Sequence, residues 1–150
     1  MIFDPEVARD SMATMLSEYW AAQDWTALGF AAAPDIQWQG RGVSDSLTLL
    51  APYVDWQARH NDAPQASFSD SQVKAYDTYG LIIIQSKGPL LPGNGFEVAQ
   101  RMAIIARDAY RGKQTPNCIW FRNARISEVG ADGGWYLFNT YIEFNYSEVG

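Results

Sequence analysis

The pattern of apolar and polar positions divides the chain into a helical N-terminal third and a strand-rich remainder. Val7, Ala8, Met12, Met15, Leu16, Tyr19 and Trp20 recur at helical spacing, and Glu6, Arg9, Asp10, Thr14 and Ser17 fall on the other side. Asp4-Pro5-Glu6 supplies the start: Asp4 can cap, Pro5 fits the first helical position, and Glu6 suits the positive end of the dipole. Asp24-Trp25 opens a second, shorter helix to about Ala32, and Ala33-Pro34 ends it because the residue before proline resists the α region. Asp35 to Gln39 reads as a short strand and Gly40-Arg41-Gly42 as a turn. A third helix is expected from a cap at Ser44 or Asp45 to about Arg59. It would carry two stripes, Leu47-Leu50-Val54 and Leu49-Tyr53-Trp56-His60, with Asp55 and Arg59 as an exposed i,i+4 pair.

Beyond Asn61-Asp62-Ala63-Pro64 the pattern predicts a meander. A strand is expected from Ala66 to Tyr76, with a turn at Asp77-Thr78-Tyr79-Gly80. Leu81-Ile82-Ile83-Ile84-Gln85 is apolar and β-branched and belongs in the sheet centre. Lys87 to Gly95 reads as a loop. Phe96 to Tyr110 reads as a long strand with Val98, Met102, Ile104 and Ala106 on one face and Gln100 as the exception. After a turn at Arg111 to Pro116, strands are expected at Asn117–Val129 and Trp135–Tyr146, joined by an Ala131-Asp132-Gly133-Gly134 hairpin. Helices followed by a long meander imply an α+β layer fold in which a curled sheet wraps a helix and encloses a cavity.

Composition narrows the function. At 150 residues the chain reads as a single domain. Its net charge of -6 argues against nucleic acid and against an anionic membrane surface. Its apolar runs fall far short of the roughly 20 residues that span a bilayer. Met1 to Glu6 has no signal-like character, and the single cysteine, Cys118, has no intramolecular disulfide partner, so a cytoplasmic protein is the simplest reading. Aromatic residues reach 14%, with six Trp and eight Tyr, which suits a core bordering a wet pocket.

Three stretches carry a family likeness: Gln23-Asp24-Trp25 through Ala33-Pro34-Asp35-Ile36-Gln37-Trp38, then Gly40-Arg41-Gly42, and Arg125-Ile126-Ser127-Glu128 with Asp132-Gly133-Gly134-Trp135. With the order of elements, they resemble the nuclear transport factor 2-like superfamily, which includes SnoaL-like polyketide cyclases, ketosteroid isomerases and scytalone dehydratase. The resemblance implies a cone-shaped α+β barrel, N-terminal helices against a strongly curved mixed or antiparallel sheet, with a pocket between the third helix and the concave face. It also implies a homodimer packed through the outer sheet face. Where scytalone-dehydratase-like members carry a Tyr-Asp pair ahead of x-x-Asp-Trp, this chain has Trp20-Ala21.

The candidate chemistry is acid–base. His60, the one histidine, continues an apolar stripe and could serve as a general base, or it could satisfy the carbonyls of a helix end. Asp35 could shuttle a proton if buried, or could simply open a strand in solvent. Tyr19, Trp20, Trp38, Tyr53, Trp56 and Trp120 are candidates for an aromatic pocket wall, or for plain core. Gln100 is a candidate polar contact to a ligand, or to a neighbouring side chain; Asn139, alternating with Tyr141 and Glu143, could line the pocket floor, or belong to a polar outer surface or a dimer seam. Arg101 and Arg107 could meet a substrate carboxylate, or pair with acids such as Glu97 or Glu143. One His and one Cys cannot build a usual zinc site, and no phosphate loop occurs, so no metal or cofactor is expected. The reading is a small cofactor-independent cyclase, isomerase or dehydratase acting on an apolar or aromatic small molecule. The alternatives are a non-catalytic binding module and a purely dimerising domain on the same scaffold.

Overall fold

Helix α1 runs from Pro5 to Ala21 and buries Ala8, Met12, Leu16 and Trp20, a stripe at every fourth residue. A computed structural model describes residues 5–40, 51–60, 75–90, 93–116 and 118–149. After α1 the expected second helix is a run of hydrogen-bonded turns. Asp24 Oδ1 accepts from the Ala27 N–H at 3.2 Å, and the Phe30 N–H returns to the Trp25 carbonyl at 2.9 Å.

Among the described residues five strands follow in one mixed sheet: β1 (Asp35–Trp38), β2 (Tyr53–His60), β3 (Ala75–Pro89), β4 (Trp120–Asp132) and β5 (Trp135–Val149). Helix α2 (Gly95–Asp108) lies between β3 and β4 in sequence. The strand order is β1-β2-β3-β5-β4, so β1 and β4 are the edges of an open sheet. Only the β1–β2 pair is parallel; the others are antiparallel. β3 and β5, 15 residues each, pair along their whole length. Leu81 to Gln85 lies in the central strand, as its β-branched run predicts. The β4–β5 turn falls at Gly133-Gly134, inside the expected hairpin.

Both helices cover one face. Val54, Trp56 and Ala58 of β2, Ile82 and Ile84 of β3, and Ile142 and Phe144 of β5 share a core with the buried stripes of α1 and α2. The approach of α2 is close. A Cβ on Gly88 would collide with the carbonyl oxygen of Gly95, so the start of α2 rests directly on β3 backbone. The opposite face carries Tyr53, Trp135 and Leu137 as a separate buried cluster.

Three expectations are corrected. Tyr53 to His60 is a strand and not the end of a third helix; Val54, Trp56, Ala58 and His60 alternate strictly, which is the strand period. Asp55 therefore pairs across the sheet with Lys87, at 2.8 Å, and not along a helix with Arg59. Residues 44 to 50 of that expected helix lie outside the described residues. Phe96 to Asp108 is helix. Val98, Ala99, Met102, Ala103, Ile105 and Ala106 are buried at helical spacing, and Gln100 and Ile104 are exposed. The expected turn at Asp77 to Gly80 is continuous β3. Most of the Ala66–Tyr76 strand falls outside the described residues.

Candidate functional site

The parallel pairing of β1 with β2 sets Trp38 directly beside Trp56, with ring centroids 5.6 Å apart and planes at 65°. Both rings belong to the helix-covered face. Trp56 is buried, and its Nε1 donates to the Tyr110 hydroxyl at 3.1 Å. Burial pushes that hydroxyl's pKa well above the ordinary phenol value, so it stays protonated and can donate onward. Trp38 is half-buried at the edge of the sheet.

Between these two rings and the polar side of α1 lies a cleft of about 360 Å³. The helix contributes Arg9, Asp10, Ala13, Thr14 and Ser17; the sheet contributes Trp38, Gln39 and Trp56. Gln39 fixes the edge, because its Oε1 accepts the Ala58 N–H at 3.0 Å just past the end of β1. A second cleft, about 400 Å³, lies between α1 and Thr115-Pro116 and, among the described residues, has no aromatic ring and no cation in its lining.

Arg9 closes one end of the first cleft. Its Nη2 lies 3.4 Å from His60 Nδ1 and 3.5 Å from the Ala58 carbonyl oxygen. A guanidinium has no acceptor, so Nδ1 is the acceptor and the neutral ring carries its proton on Nε2. Burial first, and the Arg9 charge second, hold the His60 pKa below the ordinary imidazole value. The ring lies edge-on to Phe144 and Tyr146, at 5.1 and 5.9 Å. His60 Nε2 and Arg9 Nε are both buried and have no hydrogen-bond partner among the described residues. The Phe144 ring reaches His60 by lying across Gly80, where a Cβ would collide with it and with the Arg59 carbonyl.

Of the residues nominated from sequence, Trp38, Trp56 and His60 come together here. The others do not join them. Trp20 is core, and its Nε1 donates to the Pro34 carbonyl at 2.8 Å. Tyr19 is half-buried beneath Lys113, whose Nζ lies 4.1 Å from the ring centroid. Asp35 is exposed and pairs with Tyr53 on the sheet face turned away from the helices.

Tyr53 packs edge-on against Trp135 at 5.3 Å and accepts from Lys87 Nζ at 3.2 Å. Burial alone would lower the Lys87 pKa, but its bonds to Asp55 and Tyr53 outweigh that and raise it. Asn139 lies on the same outer face, accepting from Gln85 and donating to the Tyr141 hydroxyl, both at 3.0 Å. Trp120 is 53% exposed at the start of β4, and Gln100 is exposed on α2. The expected pocket under a third helix has no counterpart among the described residues, because its helical wall is strand β2 there.

Of the two arginines, Arg107 pairs with an acid, as one alternative expected, and Arg101 finds a backbone carbonyl instead. Arg101 donates to the Leu28 carbonyl at 2.7 Å, and Arg107 pairs with Asp108 at 3.1 Å. Arg9 was legible only as part of the polar side of α1. Nothing in the sequence marks that side as facing the edge of a sheet. Among the described residues, no group of three His, Cys, Asp or Glu side chains is arranged to hold a metal ion, and no helix is long and apolar enough to cross a membrane.

No family model matches the chain, and no curated protein matches it. The fold is shared with solved structures. One is similar over 91% of this chain and 93% of its own, with a TM-score of 0.60 at 11% identity. At that identity the likeness shows the fold alone, that of a small α+β protein whose described residues form a mixed sheet under α1 and α2.

Proposed function

We propose that the protein binds a small organic molecule in the cleft between α1 and the β1–β2 edge. The observation that carries this reading is the meeting of an aromatic pair, Trp38 and Trp56, with a half-buried cation, Arg9, in one concave space of about 360 Å³. That volume falls within the roughly 300–1,000 Å³ of small-molecule sites, which combine apolar walls with a few placed polar groups. A thermal-shift screen of planar organic molecules tests it. Ligands should raise the melting temperature of the wild type and not of Ala13→Trp, which fills the cleft. Ligands that stabilise both proteins equally would put binding elsewhere.

Catalysis is the second reading, and His60 favours it. The ring is held neutral, and its one basic nitrogen, Nδ1, faces Arg9 at 3.4 Å, so it accepts a proton, as a cofactor-independent cyclase, isomerase or dehydratase requires, only once Arg9 turns from it to a ligand. Asp35 takes no part in this version, since its strand pairing puts it on the other face. Turnover of a bound ligand that is lost in His60→Gln while affinity persists would favour the enzyme. Binding without conversion favours the module.

The same reading includes kinship with the nuclear transport factor 2-like proteins, a sheet curving cone-like around α1 and α2, and a cytoplasmic location. A homodimer through the outer sheet face also belongs to it. Half-buried Ile83, Gln85, Asn139 and Tyr141, on a face that carries no helix among the described residues, support the dimer. Sedimentation velocity would test it: a monomer at all concentrations rejects the dimer.

A further inference from the structure

Resting on the cleft reading above, we infer that the natural ligand carries an anionic group, a carboxylate or an oxyanion of similar size, that seats against Arg9 while its flat body lies along Trp38. The argument begins with the state of the guanidinium. Arg9 is half-buried and lines the cleft, yet among the described residues it pairs with no carboxylate. Its described polar contacts are a ring nitrogen at 3.4 Å and a carbonyl at 3.5 Å, and both go to the same terminal nitrogen, Nη2. Nε is buried with no partner among the described residues. A guanidinium offers five donors in a planar fork, and removing it from water without an anion is costly. The chain's other described arginine–acid contacts sit elsewhere, at Arg107–Asp108 and around Glu143.

The neighbour chosen for Arg9 supports the same conclusion. His60 in place of an acid leaves the positive charge without a carboxylate partner among the described residues, and available to something that enters the cleft. Among the described residues, Asp10 is the single acid lining the cleft. It is exposed, and among the described residues it makes no ion pair with Arg9. Ser17 and Thr14, on the same helix side, line the cleft further along, where the Thr14 hydroxyl donates to the Asp10 carbonyl at 2.8 Å. A charge-assisted bond to an oxyanion is about twice as strong as a neutral one, and Arg can make two in parallel. A flat body beside Trp38 would place the anion at the Arg9 end.

The test compares matched pairs of planar acids and the corresponding alcohols, beginning with 2-naphthoate and 2-naphthylmethanol, by titration calorimetry. The acid should bind at least about tenfold more tightly than the alcohol. Arg9→Gln should remove most of the acid's advantage over the alcohol, and Arg9→Lys should keep part of the preference. Circular dichroism identifies the folded variants, and added salt should shrink the acid preference of the wild type. Equal affinities in the wild type, or a preference that Arg9→Gln leaves largely intact, overturn the inference. If alcohols bind the wild type but not Ala13→Trp, and acids bind no better, the cleft stands and the anionic ligand falls. If no acid or alcohol binds, the cleft reading falls, and this inference with it.

Discussion

Trp56 Nε1 donates to the Tyr110 hydroxyl at 3.1 Å, and that hydroxyl donates in turn to the Met12 carbonyl at 2.7 Å. One buried phenol thus ties β2, the residue just past α2, and the middle of α1 together. It also fixes the inner wall of the cleft, because Trp56 is one of the two rings that line it. Tyr110→Phe keeps the ring but leaves the indole N–H without its acceptor. The expected cost is about 1–3 kcal/mol, read as a lower urea midpoint with unchanged slope. A midpoint equal to the wild type would show that the relay contributes nothing to stability.

Gly80 holds a second contact that a side chain would destroy. Its missing Cβ is where the Phe144 ring and the Arg59 carbonyl approach β3. The ring could move, but the carbonyl belongs to the β2–β3 ladder and has less room to do so. Gly80→Ala should destabilise the fold by about 1–3 kcal/mol and shift the His60 ring resonances, since Phe144 packs on that ring. Chemical denaturation and NMR of the variant check both effects.

The His60 pKa is held below 6.5, so the unfolded chain takes up a proton at higher pH than the folded one. The resulting stability is fully present above about pH 6.5 and is lost as pH falls through the lower folded value. A protonated ring would also face the Arg9 charge across 3.4 Å. The melting temperature should therefore decline as pH falls below 6.5. In His60→Gln, which cannot titrate, the part of that decline due to His60 should vanish. Identical pH profiles for the two proteins would contradict the assignment.

Asp35 and Trp120 serve as controls for the placement of the site. Asp35 pairs with Tyr53 on the outer face, and Trp120 stands exposed at the start of β4. Asp35→Asn and Trp120→Phe should leave the affinity of any cleft ligand unchanged, whereas Trp38→Ala should weaken it. Titration calorimetry on the three variants decides the matter.

The sequence carried the fold unevenly. Helix α1, the central run Leu81–Gln85 and the turn at Gly133-Gly134 were legible because capping, β-branching and glycine chemistry act locally. Two segments were read with the wrong period. In Tyr53–His60 the residues Tyr53, Trp56 and His60 also fit a helical stripe, and the strict alternation of Val54, Trp56, Ala58 and His60 was the truer signal. In Phe96–Asp108, Ile104 imitated strand alternation. It is an apolar residue that is in fact 37% exposed, and the apparent exception, Gln100, marks the solvent side of a helix.

The site suffered from the same limit at longer range. Trp38, Trp56 and His60 were nominated singly. Their meeting with Arg9 depends on a parallel β1–β2 pair and on how α1 crosses it, and neither leaves a local mark in the chain. Tyr53, only three residues from Trp56, belongs to the other face because the strand period separates odd from even positions.

The most direct test of the binding cleft follows the six tryptophan indole N–H resonances of nitrogen-15-labelled protein during titration with 2-naphthoate. Trp38 and Trp56 should shift together and saturably, with Trp120 unmoved. Shifts confined to Trp120, or none at Trp38 in the presence of a bound ligand, would contradict the cleft between α1 and the β1–β2 edge.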